Sequence, residues 1–88
     1  MKRNEDFLLR CVGGENVLIP VGEAARSFNG LINLNSTGTF LWEKLPEAAD
    51  GAELAAMLAR EFEVDESDAH KDTQEFLEQL RLRGMLSD

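Results

Sequence analysis

The stretch GLINLNSTGTFLWEKL, residues 30–45, changes its apolar spacing halfway along. Leu31, Ile32 and Leu34 crowd an extended segment, whereas Leu41, Trp42 and Leu45 fall at helical spacing. Asn35 and Ser36 stand at the join, where a side-chain oxygen can accept a hydrogen bond from an orphan N–H of the first helical turn. The stretch therefore reads as a short strand over residues 31–34 that passes directly into a helix. The buried stripe of that helix is Leu34, Gly38, Leu41, Trp42 and Leu45, and Pro46 with the small residues after it ends the helix.

Upstream, residues 7–12 (FLLRCV) and 17–21 (VLIPV) are rich in strand formers and are separated by Gly13, Gly14, Glu15 and Asn16, which predicts a β-hairpin. Pro20 cannot donate to a ladder, so it belongs at an edge, a bulge or a strand end. Cys11 alternates with Phe7 and Leu9 and is expected as a small buried hydrophobe. Between residues 22 and 30, Glu23-Ala-Ala-Arg suggests a helical turn and Asn29-Gly30 a tight turn.

Downstream, two more helices are predicted. The first spans 51–62, with Asp50 as N-cap, Glu53 at capping-box spacing, and a stripe of Leu54, Met57 or Leu58, and Phe62. The second is longer. Asp65 caps it, Glu66 and Asp68 suit the positive end of its dipole, and Val64 and Ala69 occupy the hydrophobic-staple positions. Its buried face is Ala69, Thr73, Phe76, Leu77 and Leu80, and Gly84 offers a C-terminal stop before the short apolar tail of Met85 and Leu86.

The composition narrows the function. The chain has 88 residues, enough for one domain with a modest core, and residues 1–88 are expected to form a single unit. The net charge is −8, from 17 acidic and 9 basic residues, so the field around the molecule opposes phosphate backbones. One cysteine and one histidine, Cys11 and His70, cannot assemble a disulfide or a zinc site, and no metal or cofactor is expected. No apolar run is long enough to span a membrane and no secretory signal is evident, which makes the cytoplasm the expected address.

Catalysis finds little support. A nucleophile needs an adjacent base, and the only histidine sits beside Lys71 in a helix-surface context. The carboxylates Asp65, Glu66, Asp68, Asp72, Glu75 and Glu78 read as caps and a solvated face. Gly13-Gly14 lacks the Lys-Ser/Thr of a phosphate loop. Three helices and a small sheet can also form a DNA-binding winged helix-turn-helix. The first turn of the recognition helix would then carry Asp65, Glu66 and Asp68, which repel phosphate; Lys71, Arg81 and Arg83 are too scattered to reverse that. A third reading is a binding module, in which an unpaired edge beside residues 31–34 accepts an extended peptide.

Two segments, LNSTGTFLWEKL at 34–45 and GAELAAMLAREFEVDESDAHKDTQEFLEQLRLRGML at 51–86, closely resemble the coenzyme PQQ synthesis protein D (PqqD-like) family. The shared features are an Asn-x-Thr-Gly helix start, an aromatic-acidic pair, a helix ending in Phe-x-Val, then Asp-x-x-x-Phe-Leu-x-x-Leu and a terminal Arg-Gly. The resemblance implies an α+β, winged helix-turn-helix-like fold: a three-stranded antiparallel sheet followed by three helices. It implies a non-enzymatic peptide chaperone that binds the leader of a ribosomally made precursor, of pyrroloquinoline quinone or another modified peptide, and presents it to a modifying enzyme of the radical SAM type. The leader would add beside the third strand and lie against the last helix. Carried over by position, the strand side is Leu31, Ile32, Asn33 and Leu34. The helix side is either Asp72, Gln79 and Arg83 or the opposite flank with His70, Gln74, Leu77 and Arg81. The alternatives are a winged-helix regulator and a generic protein-interaction domain. Monomer and homodimer both remain open, since exposed strand edges invite pairing.

Overall fold

Gly13 and Gly14 hold positive φ values of 59° and 84°, as a two-residue type I′ hairpin turn requires. They join β1 (Phe7–Val12) to β2 (Glu15–Pro20), with Val12 opposite Glu15 and Phe7 opposite Pro20. The turn is tighter than the four-residue connection expected, because Glu15 and Asn16 enter the ladder. Pro20 closes β2, where no further donor is needed. The structure is a computed structural model that describes residues 1–28 and 30–87.

One helical turn, α1 (Ala24–Ser27), lies in the connection after β2, where Glu23-Ala-Ala-Arg suggested it. Asn29, half of the expected Asn29-Gly30 turn, is outside the described residues; Gly30 has φ 90°. β3 (Ile32–Leu34) then pairs antiparallel with β2, Ile32 opposite Leu18 and Leu34 opposite Asn16, which gives the sheet order β1-β2-β3. Leu31, expected as its first residue, precedes the ladder and is 55 % exposed.

Helix α2 (Ser36–Lys44) follows, and a 3-10 turn at Leu45–Glu47 carries Pro46. Then come α3 (Gly51–Phe62) and α4 (Glu66–Leu82). Asp50 caps α3 by accepting from the Glu53 N–H at 2.9 Å. Glu53 returns the bond to the Ala49 N–H at 2.8 Å, one residue before the cap itself. Asp65 stands at the N-cap of α4, but its carboxylate accepts from the Ser67 hydroxyl, at 2.9 Å, and makes no cap bond to the backbone. Gly84 ends α4 as expected. Its N–H reaches the Arg81 carbonyl and the Met85 N–H the Leu80 carbonyl, the paired bonds of a Schellman motif. Met85, which followed as a mere tail in the sequence, is fully buried beside that motif.

The core is built from Phe7 and Leu18 of the sheet, Leu41, Trp42 and Leu45, Leu54 and Leu58 of α3, and Ala69, Leu77 and Leu80 of α4. Cys11 corrects the sequence reading. It shares a strand face with Phe7 and Leu9, but burial fades along β1 from Phe7 through Leu9, and Cys11 is exposed because the hairpin tip projects past the helices. The N-terminal arm closes the other side. Asn4 N–H donates to the Met85 carbonyl at 2.8 Å, Arg3 forms a β-bridge with Leu86, and its guanidinium lies 5.2 Å from the centre of the Trp42 ring. The ion pairs Arg26–Glu23, Lys44–Glu47 and Arg81–Glu78 are surface pairs three residues apart, each worth well under about 1 kcal/mol.

Two substitutions test this account. Glu63, after α3, holds a left-handed φ of 52°, and Thr73 is fully buried with an Oγ1 that finds no hydrogen-bond partner among the described residues. Glu63→Gly and Thr73→Val should each raise stability by about 1 kcal/mol, the first by relieving the left-handed strain and the second by removing a desolvated hydroxyl. Thermal unfolding should show midpoints about 4–8 °C higher for each.

Candidate functional site

The site starts from the Asn35 side chain. Its Oδ1 accepts from the Gly38 N–H at 2.8 Å and from the Thr37 hydroxyl at 3.1 Å, so the helix begins one residue after the strand ends. Gly38 is buried there, and a Cβ on it would stand 3.1 Å from Asn35 Oδ1, 3.5 Å from Leu34 Cδ2 and 3.6 Å from Phe76 Cε1. The end of β3, the start of α2 and the middle of α4 thus converge on one glycine.

Because the order is β1-β2-β3, the outer side of β3 has no strand partner among the described residues. Its N–H and C=O groups on that side are open to an added strand. Ile32 and Leu34 are half-buried toward the core, and Asn33 is exposed.

The direction of α4 relative to β3 follows from its ends. Phe76 lies at the Leu34 end of the strand. The residues after α4 meet Asn4, whose carbonyl accepts from the Phe7 N–H, and Phe7 pairs with Pro20 at the end of the sheet where β3 begins. Helix α4 therefore runs antiparallel to β3. From Phe76 to Arg83 the helix rises about 10 Å, the length of the chain between Leu34 and Leu31 at about 3.3 Å per residue.

The two flanks of α4 face different neighbours. Asp72, Phe76, Gln79 and Arg83 recur at intervals of four, three and four, so they form one stripe on the side that Phe76 turns toward the β3–α2 join. Asp72, Gln79 and Arg83 are exposed, Phe76 half-buried. On the opposite flank Leu77 packs toward α3, while Gln74 and Arg81 stay exposed. Gln74 Nε2 lies 2.8 Å and Leu77 Cδ1 3.1 Å from where a Cβ on Gly51 of α3 would stand, Leu77 is buried, and Arg81 pairs with Glu78 at 2.7 Å. His70 is exposed. The sequence marks Phe76 as a core residue; it is half-buried and shares a stripe with Asp72 and Gln79.

A surface depression of about 1060 Å³ lies elsewhere, between the N-terminal arm, the start of β1 and Trp42, Glu43 and Pro46. Its floor is a mixed polar and apolar arm that is already hydrogen-bonded to the C-terminal residues, and it does not touch β3. No group of three or more metal-ligating side chains occurs among the described residues. No helix there is long and apolar enough to cross a membrane.

Comparison with known proteins places this geometry. The profile of the family described as coenzyme PQQ synthesis protein D matches residues 15–86, from β2 through the bridge after α4. Among solved structures, the chain is similar to TbiB1 in complex with the TbiA(beta) leader peptide, with 22 % identity, a TM-score of 0.75, and coverage of 99 % of this chain and 95 % of that one. It is also similar to a lasso peptide synthetase B1 complexed with the leader peptide, with 23 % identity, a TM-score of 0.76, and coverage of 99 % and 96 %. Comparison with curated proteins finds no match.

If Asn35 sets the strand–helix join, Asn35→Ala should cost about 1 kcal/mol and up to about 2. Urea unfolding would measure the loss, and amide exchange should quicken at Gly38, whose N–H the cap holds.

Proposed function

The chain belongs to the coenzyme PQQ synthesis protein D family, and from that premise we propose that it is a non-enzymatic peptide chaperone acting as a single domain over residues 1–88. It binds the leader of a ribosomally made precursor by strand addition and presents it to a modifying enzyme. The observation that carries the reading is the open outer edge of β3, held against α2 by the Asn35 cap and flanked by the exposed stripe of α4. That the two similar solved chains described above are complexed with a leader peptide supports it further.

In this reading the guest chain forms main-chain hydrogen bonds along Leu31, Ile32, Asn33 and Leu34. Each is worth about 0.5–1.5 kcal/mol net. Its side chains rest against Phe76 and between Asp72, Gln79 and Arg83. Leu31 is the apolar residue most ready to be covered, since it is 55 % exposed just ahead of the ladder. The partner enzyme is of the radical SAM type, the pathway that of pyrroloquinoline quinone or another modified peptide, and the setting intracellular. The acidic surface suits an enzyme with basic patches around its docking face.

The test is a titration of isotope-labelled protein with the leader of the precursor encoded beside it. Amide shifts should concentrate at residues 31–34 and at Asp72, Phe76, Gln79 and Arg83. Leu31→Asp should weaken binding at least about tenfold, the loss of one buried leucine contact. Leu82→Asp should leave it unchanged, because Leu82 is 71 % exposed on the solvent side of α4. Shifts confined to the free edge of β1 and the depression beside Trp42 would overturn the assignment.

A further inference from the structure

The stripe that α4 turns toward β3 is chemically ordered: an acid, an aromatic ring, an amide and a base, at Asp72, Phe76, Gln79 and Arg83. The strand opposite, Leu31, Ile32, Asn33 and Leu34, carries no charge. Asp68, one turn before Asp72, and Glu75, one turn before Gln79, are also exposed on this side, so acid gathers toward the N-terminal half of the stripe and Arg83 is the base at its other end. Asp72 and Arg83, like several other charged residues of the surface, form no ion pair among the described residues. Both side chains are exposed at opposite ends of the stripe.

We propose that Asp72 and Arg83 are the residues that set the polarity and register of the bound chain. The ligand class is an extended peptide with a basic side chain about five residues before an acidic one. This rests on the strand-addition reading above. Along α4 the two charges are separated by about 16 Å, which an extended chain covers in about five residues. Both pairs in the sheet are antiparallel, and a guest that continues the pattern runs opposite to β3 and hence in the direction of α4. Its N-terminal part meets Asp72, beyond the Leu34 end, and its C-terminal part meets Arg83, at the Leu31 end. A guest inserted backwards, or slipped by two residues along the ladder, leaves one or both charges facing a like or neutral group. The backbone bonds are indifferent to side-chain identity, so the terminal charges are what distinguish one register from another.

Selection of random 15-residue peptides displayed on phage, against the natural chain and against the Asp72→Arg, Arg83→Asp double variant, tests this. Both positions are exposed, so the variant keeps the fold, which circular dichroism verifies. Peptides enriched on the natural chain should carry Lys or Arg four to six positions before Asp or Glu. Those enriched on the variant should carry the reverse order. Synthetic peptides from the two pools should each prefer their own protein about fivefold at 50 mM salt, as two partly exposed ion pairs allow. At 0.5 M salt the preference should vanish. Enriched peptides without a charge order, an acid-before-base order on the natural chain, or an order that the double variant fails to invert would overturn the proposal while leaving strand addition intact. Enriched peptides whose amide shifts avoid residues 31–34 would overturn the strand-addition reading and this proposal with it.

Discussion

The amide side chain of Asn35 decides where the last strand stops and the first long helix begins. By taking the Gly38 N–H it makes Asn35 the last extended residue and starts helical backbone at Ser36, with no loop between. A flexible linker there would let β3 drift relative to α2 and would fill the space at Gly38 where Leu34 and Phe76 meet. The meeting of Leu34 and Phe76 over Gly38 follows from that one junction.

A three-residue edge is a weak holder by itself. The few main-chain hydrogen bonds it can offer sum to a small number of kcal/mol, whereas micromolar affinity corresponds to about 8 kcal/mol. Preorganisation supplies part of the difference: a strand fixed at both flanks loses little freedom when a ligand arrives. The remainder has to come from side chains that are neither fully solvated nor fully buried. Ile32, Leu34 and Phe76 are in that state.

Much of this was legible in the sequence where a local rule decides the outcome. Gly13-Gly14 specified the hairpin, Asp50 and Glu53 the start of α3, Gly84 the end of α4, and Asn35 the join, because each acts on backbone groups within a few residues of itself. Readings that depended on tertiary reach were less secure. Cys11 follows the correct alternation but lies beyond the helices that would have covered it. Asp65 has the right residue type and position for a cap, yet the nearby Ser67 hydroxyl takes its oxygen. Periodicity defined the apolar stripe of α4 but carried no information on the neighbours of its two flanks; Gly51, with no side chain, lets Gln74 and Leu77 approach α3, and Gly38 lets Phe76 approach the start of α2. The arm over Trp42 had no signal, since nothing local in residues 1–6 encodes a partner at the far end of the chain.

That clasp between chain ends bears on the order of events in folding. Its hydrogen bonds join residues 80 to 84 apart in sequence, from Asn4 to Gly84 and from Ser87 to Arg3. The hairpin closes over two glycines and α3 meets α4 across a short turn, so both can form while the termini still wander. Arg3, which forms the β-bridge with Leu86, also lies over the Trp42 ring. In the native state the same ring reports on fraying of the ends, an opening beside Gly84 and so at the C-terminal end of α4.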